Sequence, residues 1–307
     1  MRLNALLIIL ALASLFHSIG LNLPGSLSPI DFSAENNVVQ HRTIDFLAAD
    51  ETSTLQMDLY SCAESTIDPS EKSLFIFAHG GGFFTGSRLH PQNVQFCEAL
   101  ASHGIDVASM DYRLTQLGRG FDCEIASLDK QLAIEAAAAD MEQALTRLKF
   151  DYSNRIVIGG SSSGGHAALC SVYHRHVKGV AGVISMCGGM EPITTISNVP
   201  LLAFHGTCDA LVPYGEAIHH YCKRNAPGAL LLQGGGALAE CLPQVELHAY
   251  LNGGHDLANS CLSDSNVIST CIEFIQKAIQ AEPIGGTFLY ETALYCELPS
   301  PFLPCQQ

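Results

Sequence analysis

The sequence predicts one α/β domain built on a mostly parallel β-sheet with helices on both faces. Strand-length apolar runs alternate with longer helical patterns through most of the 307 residues, and no internal repeat or long linker interrupts them. Apolar residues make up 48% of the chain and charged residues 15%, so a large core can form and global disorder is excluded. A chain of this length is compatible with a single α/β domain.

The predicted strands open with a hairpin-like edge formed by residues 38–46 and 55–60. The strands that follow are continuous apolar runs, which are typical of parallel strands covered on both faces. These runs are residues 74–78, 105–110, 156–158, 179–186, 201–204 and 245–251, and the last of them closes the predicted sheet.

Helical patterns separate these strands at residues 91–102, 126–149, 164–174, 214–224 and 265–280. Residues 228–236 are apolar and Gly-rich, which predicts an irregular insertion within a loop of residues 226–244 that lies away from the site. Residues 282–307 contain four Pro and predict a tail rather than a further domain. The predicted domain therefore covers residues 38–281.

The first twenty residues have the features of a secretory signal peptide. Arg2 supplies the positive charge, residues 5–16 form an apolar run, and Ser18 and Gly20 provide small side chains before a cleavage site. The run is too short to span a bilayer, so we expect no stable membrane anchor. The sequence thus predicts a signal peptide at residues 1–20, a leader at residues 21–37 and a secreted or periplasmic mature protein.

Charge and cysteine content restrict the partners and the compartment. A formal charge of -15 would repel nucleic acid, so none is expected as a partner. The even number of twelve Cys residues in an exported chain predicts several disulfides. The cysteines form no C-x-x-C pair, and we interpret the run His219-His220-Tyr221-Cys222 as a surface or packing segment, so no metal site is expected.

The strongest chemical signal is the run Gly-Ser-Ser-Ser-Gly at residues 160–164, between a predicted strand and a predicted helix. A nucleophile held on such a tight turn needs small residues two positions before and after it. Gly160 and Gly164 flank Ser162 in this way, so Ser162 is the expected nucleophile. A second register, with Ser163 as nucleophile between Ser161 and Gly165, stays open.

A glycine run follows the predicted strand at residues 74–78, where His79 precedes three consecutive Gly. Glycines at this place let peptide N–H groups approach an oxyanion with no side chain in the way. We expect the amides of Gly81, Gly82 and Ser163 to donate to the oxyanion. His79 is expected to support the loop rather than to titrate in catalysis.

An activated serine needs a base, and the base needs a carboxylate that orients it. Asp209 and His255 each lie in a loop after a predicted strand, and both follow Ser162 in the order that this architecture requires. His205 and His248 fit the role of base less well, because one precedes Asp209 and the other lies within a strand. Asp209 as a plain turn residue and His255 as an ordinary loop histidine remain alternatives.

Taken together, these motifs resemble those of the α/β-hydrolase superfamily, in the region shared by hormone-sensitive-lipase-like and feruloyl-esterase-like carboxylesterases. The matching pieces are residues 79–83 with Gly86-Ser87, Asp111-Tyr112-Arg113-Leu114, residues 160–165, residues 205–209, Val212-Pro213 and Gly254-His255. The resemblance implies Ser162 as nucleophile, Asp209 as acid, His255 as base, and no metal or organic cofactor. Ser161 stands where the family often has Asp, so a contact near the nucleophile is expected to be lost.

The expected function is that of a secreted serine carboxylesterase. The crossover at residues 187–200 leaves no room for a large cap domain, which favours short acyl groups or esters on a larger soluble or polymeric molecule. Two alternatives stay open, namely an amidase, arylformamidase or peptidase on the same fold, and a catalytically inactive binding module. We further expect a disulfide between Cys208 and Cys261 to join the loops of the acid and the base, and another between Cys296 and Cys305 to close the tail.

Overall fold

A computed structural model describes residues 38–63, 65, 67–68, 71–152, 155–294, 296 and 298 of the chain. The predicted signal peptide, the predicted leader and Cys305 lie outside the described residues. No helix among the described residues is long and apolar enough to cross a membrane.

Nine strands form one mixed sheet in the order β1-β2-β4-β3-β5-β6-β7-β10-β11. β1 pairs antiparallel with β2 and β2 antiparallel with β4, and all later neighbours are parallel. The strands are β1 Val39–Leu47, β2 Thr54–Cys62, β3 Ser73–Ala78, β4 Ile105–Met110, β5 Ile156–Ser161, β6 Gly182–Met186, β7 Leu201–Gly206, β8 Glu216–Ile218, β9 Leu231–Gln233, β10 Val245–Leu251 and β11 Gly286–Glu291. β4 to β7 are buried throughout, as their continuous apolar sequences predict.

Helices cover both faces of this sheet and divide the core into two layers. The helices are α1 Pro91–Ser102, α2 Ser127–Tyr152, α3 Ser163–Leu169, α4 Gly235–Cys241, α5 Leu257–Ser260 and α6 Ser265–Ile279. Buried side chains of α2 and α3 belong to one apolar layer, and those of α1 and α6 belong to the other. Asp264 caps the N-terminus of α6, since its carboxylate accepts hydrogen bonds from the peptide N–H groups of Asn266 and Val267.

The helix predicted at residues 214–224 does not form. This segment contains β8 and a 3-10 turn, His219–Tyr221, and β8 pairs antiparallel with β9 in a separate two-stranded ribbon. The His219 N–H donates to the Leu230 carbonyl at 2.8 Å, so a partner distant in sequence replaces the helical one. The insertion predicted to be irregular therefore supplies β9 and the start of α4.

The C-terminal segment extends the domain beyond the predicted boundary at residue 281. β11 pairs parallel with β10 and becomes the ninth strand of the sheet, although all six of its residues are exposed. Its exposure explains why the apolar pattern did not reveal it, since an uncovered edge strand needs no continuous apolar run. The crossover at residues 187–200 contains no helix, in agreement with the expected absence of a large cap.

Disulfides connect loops at the end of the sheet where the predicted site lies. Cys208 is bonded to Cys296 with a Cα–Cα distance of 5.6 Å, so the predicted pairings Cys208–Cys261 and Cys296–Cys305 are both wrong. Cys261 is instead a reduced residue buried in the apolar layer that contains α6. The prediction of several bridges is confirmed, because Cys123 is bonded to Cys222 and Cys241 is also disulfide-bonded.

Candidate active site

Ser162 occupies a strained turn between β5 and α3. Its backbone angles are φ 50° and ψ -116°, a conformation that a residue with a side chain rarely adopts. A Cβ atom at Gly160 or at Gly164 would lie 2.4 or 2.0 Å from the carbonyl oxygen of Ala78, so only glycine fits at either position. The turn therefore has the geometry that the sequence predicts for a nucleophile.

The side chains of Ser162, His255 and Asp209 form a continuous hydrogen-bonded chain. Ser162 Oγ lies 2.8 Å from His255 Nε2, and His255 Nδ1 lies 2.7 Å from Asp209 Oδ2. Because the carboxylate can only accept, Nδ1 carries the proton and Nε2 is left to accept from the serine hydroxyl. Asp209 follows β7 and His255 follows β10, and these two strands are paired in register, which brings the two loops together.

The second register, with Ser163 as nucleophile, disagrees with the contacts of that side chain. Ser163 Oγ accepts the N–H of Gly82 at 3.0 Å and lies 2.9 Å from the hydroxyl of Tyr112. Tyr112 in turn donates to the carbonyl of His79 at 2.9 Å, so the serine hydroxyl is the donor to Tyr112. Both hydrogen-bonding directions of Ser163 are thus used within the protein.

Asp209 is fully buried, and the groups around it keep its carboxylate ionised. Burial opposes the charge, but contacts from His205 and His255 outweigh it and hold the pKa of Asp209 below its usual value. The second carboxylate oxygen accepts the N–H groups of Leu211 and Val212, each at 2.9 Å. The acid is therefore fixed in orientation and charged before any substrate binds.

His205 also lies beside Asp209. The sequence suggested this histidine only as a less suitable candidate for the base. Its Nε2 lies 3.1 Å from the carbonyl of Val212 and 3.5 Å from Asp209 Oδ2, and its Nδ1 accepts the N–H of Gly235 at 3.1 Å. These partners place the ring proton on Nε2, on the side of the carboxylate. The sequence feature that indicates this contact is the position of His205 at the end of a strand, four residues before Asp209.

The glycine loop lies against Ser162. A Cβ atom at Gly80 would come within 3.4 Å of the Ser162 Cβ, and one at Gly81 would lie 2.1 Å from the Thr85 carbonyl oxygen. Gly81 also has a φ of 126°, which favours glycine. The N–H of Gly82, also predicted as a donor to the oxyanion, donates to Ser163 Oγ in this structure. The amides of Gly81 and Ser163 make no hydrogen bond to another described residue.

His79 supports the loop, as the sequence predicts. Its ring is buried, stacks on Tyr112 with ring centres 4.5 Å apart, and places Nδ1 2.7 Å from the Gly80 carbonyl. Burial lowers the pKa of His79, which therefore stays neutral. Asp111 lies 3.7 Å from the other ring nitrogen and also forms an ion pair with Arg88.

Ser161 carries no comparable contact. Its side chain is buried, and its Oγ is one of the buried polar atoms without a hydrogen-bond partner in the described part of the chain. This agrees with the expectation that Ser161 leaves a contact beside the nucleophile unmade.

A cavity of about 370 Å³ extends from Ser162 and His255. Apolar side chains form much of its lining, namely Phe83, Phe84, Phe121, Leu211, Val212 and Ala258. Three further histidines also line it, namely His166, His219 and His220. The interpretation of His219 and His220 as surface or packing residues is therefore incomplete, because the segment folds back as a turn and presents both to the cavity.

Burial keeps these histidines neutral. Burial lowers the pKa of His166 and of His220 to about 4, and it lowers the pKa of His219 well below the usual value. Behind His219 lies Lys130, a residue of α2 with no exposed surface. Burial lowers the pKa of Lys130 to about 8. Nothing in the sequence marks this residue, since lysines on helices are usually exposed.

One group of three metal-ligating side chains occurs among the described residues, formed by Cys187, Asp209 and His255 with ligand atoms within 4.8 Å of one another. Two of the three are already joined by the hydrogen bond of the proposed triad. Burial raises the pKa of the Cys187 thiol well above its usual value, so the thiolate that a metal requires is disfavoured. The group fits the triad better than a metal centre.

Comparison with known proteins identifies a matching family model and solved structures of similar fold. Residues 57–185 match the family model BD-FAE, which describes esterase and feruloyl-esterase-like domains. No curated protein sequence matches the chain. The fold is similar to that of the esterase Est22, with a TM-score of 0.52 and 13% identity over 79% of this chain and 83% of Est22.

Two further solved structures also have a similar fold. The esterase of Pyrobaculum calidifontis aligns with a TM-score of 0.51 and 15% identity, over 79% of this chain and 86% of that protein. Esterase 2 of Thermogutta terrifontis, in a structure phosphoramylated by tabun, aligns with a TM-score of 0.51 and 19% identity, over 77% of this chain and 94% of that protein. With the sheet order and the turn at Ser162, these similarities confirm the predicted fold, and the chain has the α/β-hydrolase fold.

Proposed function

We propose that the chain is a serine carboxylesterase that hydrolyses esters through Ser162, His255 and Asp209. The observation that carries the proposal is the unbroken hydrogen-bonded chain from Asp209 to Ser162, which ends at a cavity large enough for a small acyl or alcohol group. The similarity to three esterases and the BD-FAE match support ester rather than amide substrates.

In the first half of the reaction, Ser162 Oγ attacks the ester carbonyl while His255 Nε2 takes the hydroxyl proton. Asp209 stabilises the imidazolium that forms, because it is already charged and bonded to Nδ1. The tetrahedral intermediate then expels the alcohol, whose oxygen receives the proton from His255. In the second half, water attacks the acyl-enzyme and gives its proton to the same nitrogen, and the acid leaves as Ser162 regains its proton.

For the oxyanion we propose the peptide N–H groups of Gly81 and Ser163 as donors. Both residues line the cavity, and neither amide is used by another described residue. Gly82, also expected as a donor from the sequence, acts instead by fixing the loop on Ser163 Oγ. Preorganised donors of this kind lower a barrier by about 3–4 kcal/mol each.

We propose short acyl chains, or esters on a larger soluble or polymeric molecule, as substrates. The support is the size of the cavity and the absence of any helix in residues 187–200 that would cover it. We also propose that the protein acts after secretion or in the periplasm. The disulfides Cys123–Cys222 and Cys208–Cys296 fit an oxidising compartment, and the signal peptide predicted at residues 1–20 would direct it there.

The test is hydrolysis of p-nitrophenyl esters from acetate to palmitate by the oxidised protein, with Ser162→Ala as the inactive variant. Ser161→Ala is the matched control, because it removes a neighbouring hydroxyl that has no hydrogen-bond partner. We expect a maximum at short chains, loss of activity in Ser162→Ala and retention in Ser161→Ala. Equal activity in Ser162→Ala, or turnover of aryl amides without turnover of esters, would overturn the proposal.

A further inference from the structure

The cavity has a polar wall that the proposed triad does not use. It is formed by His219 and is backed by Lys130, which has no exposed surface at all. Lys130 Nζ lies 3.2 Å from His219 Nδ1 and 2.9 Å from the carbonyl oxygen of Gly228, and its charge lies over the ring of Phe121 at 5.6 Å. Burying the charged group of a lysine lowers the stability of the fold, so packing alone does not explain the position of Lys130.

These contacts determine which nitrogen of His219 carries a proton. The ammonium group has only donors, so Nδ1 of the neutral imidazole must accept from it and the proton must lie on Nε2. His219 Nε2 makes no hydrogen bond to any residue that the structure describes, and His219 lines the cavity. An N–H donor is therefore available at the cavity wall, and the ammonium behind it strengthens that donor by polarisation.

The charges around His219 favour a hydrogen-bond acceptor as the partner of its Nε2–H group. No carboxylate of a described residue is hydrogen-bonded to Lys130. The acidic group that acts electrostatically on Lys130 is Asp122, which lines the cavity and accepts the peptide N–H of Glu124 at 2.9 Å. The rings of His166 and His220 lie beside that of His219 and stay neutral, so they add no positive charge to this wall and Lys130 is the cation that polarises His219.

We propose that His219, polarised by Lys130, is a specificity-determining donor that binds a second oxygen acceptor of the ester substrate, a carbonyl or carboxylate oxygen a few bonds from the scissile group. This inference rests on the proposed esterase function and names the substrate class of the same site. Saturated alkyl esters would leave the donor unpaired, whereas esters with a second acceptor oxygen would satisfy it. A hydrogen bond from a donor of this kind raises kcat/KM by about 10-fold or more.

The experiment compares matched esters by pH-stat. In one series methyl 3-, 4- and 5-oxoalkanoates are each set against the methyl alkanoate of equal chain length, and monomethyl succinate and glutarate form the charged arm. In the other series acetoxyacetone is set against propyl acetate, which places the acceptor in the alcohol. We expect at least one acceptor-bearing ester to exceed its saturated partner by about 10-fold in kcat/KM.

The variants Lys130→Met and His219→Phe keep side chains of similar size without the donor system. In both, we expect the ratio between the matched esters to fall by about 10-fold from its wild-type value, whatever the absolute rates. Lys149→Met is the control, because it makes the same change at an exposed lysine of α2. Circular dichroism verifies that each variant is folded, and two variants keep the test decisive if one of them is not.

A wild-type protein that hydrolyses saturated esters as fast as every acceptor-bearing partner would overturn the inference and leave the esterase proposal standing. A preference that survives in both Lys130→Met and His219→Phe would overturn it as well. Failure of the esterase proposal has a different signature, namely no hydrolysis of any ester and no labelling of Ser162 by a fluorophosphonate.

Discussion

The peptide N–H of Gly82 donates to the hydroxyl of Ser163 at 3.0 Å and so joins the glycine loop to the first turn of α3. Tyr112 completes the link, since its hydroxyl bridges Ser163 Oγ and the carbonyl of His79. Two segments 81 residues apart are thereby held in one position beside Ser162. The loop is thus fixed by side-chain contacts and not only by the conformational freedom of its glycines.

This link predicts a catalytic effect for a serine that is not the nucleophile. Ser163→Ala removes the hydroxyl but keeps the peptide N–H proposed as an oxyanion donor, so we expect kcat to fall by about 5- to 30-fold, equivalent to roughly 1–2 kcal/mol, with little change in KM. Tyr112→Phe should have a similar effect. Steady-state kinetics with p-nitrophenyl acetate measures both, with Ser161→Ala as the control. Unchanged kcat in both variants would contradict a positioning role.

The orienting acid gives a second prediction. Asp209→Asn replaces the carboxylate that fixes the proton on Nδ1 of His255, so the imidazole can adopt the wrong tautomer. We expect kcat for p-nitrophenyl acetate to fall by about 10³- to 10⁴-fold while the fold is kept, because asparagine has the same size. Leu211 and Val212 can still donate to its amide oxygen. Activity within about 10-fold of wild type would place the orienting carboxylate elsewhere.

The disulfide between Cys208 and Cys296 connects the loop of Asp209 to the segment that follows β11. It closes a loop of 88 residues, so Cys296→Ser should lower the free energy of unfolding by about 2–4 kcal/mol. Urea denaturation of the oxidised protein measures this change. Cys62→Ser, at a reduced and buried cysteine of β2, is the control for loss of a thiol. A Cys296→Ser protein as stable as the wild type would show that the bridge constrains nothing that folding requires.

The parts predicted correctly from the sequence are those determined by local pattern. Strands β3 to β7 are largely apolar runs, and the turn at Ser162 needs glycine at two fixed positions, so both can be recognised without distant partners. The proposed triad was predicted from chain order along successive strands. Its three residues are brought together by the parallel register of the sheet, which the alternation of strands and helices already implies.

The parts missed depend on partners distant in sequence. The segment at residues 214–224 has a helical composition, but pairing with residues 230–233 and the bond from Cys222 to Cys123 make it a strand and a turn. Lys130 was not recognised because only the folded segment buries it beside His219 and Gly228. The same reason explains the wrong cysteine pairs, since disulfide connectivity does not follow from the position of the loops along the chain.

Buried neutral histidines predict how stability depends on pH, and His166 is the clearest case. Its ring is buried and contacts the peptide of Gly189, and burial lowers its pKa from 6.5 to about 4. In the unfolded chain the histidine takes up a proton near pH 6.5, whereas in the folded chain it does so only near pH 4. Between these values the unfolded state binds more protons, so stability is lost as the pH falls.

For His166 alone this loss amounts to about 3 kcal/mol over the interval from pH 6.5 to 4, at roughly 1.4 kcal/mol per pH unit. His219 and His220 act in the same direction, while Asp209 contributes only at lower pH, because its pKa is held below the usual value.

His166→Asn keeps a polar group that can bond Gly189 but does not titrate. We therefore expect a shallower fall of the free energy of unfolding, measured by urea denaturation between pH 7 and 4.5, than in the wild type. His176→Asn, at an exposed histidine, should keep the wild-type slope, and equal slopes in all three proteins would show that His166 does not enter this acid sensitivity.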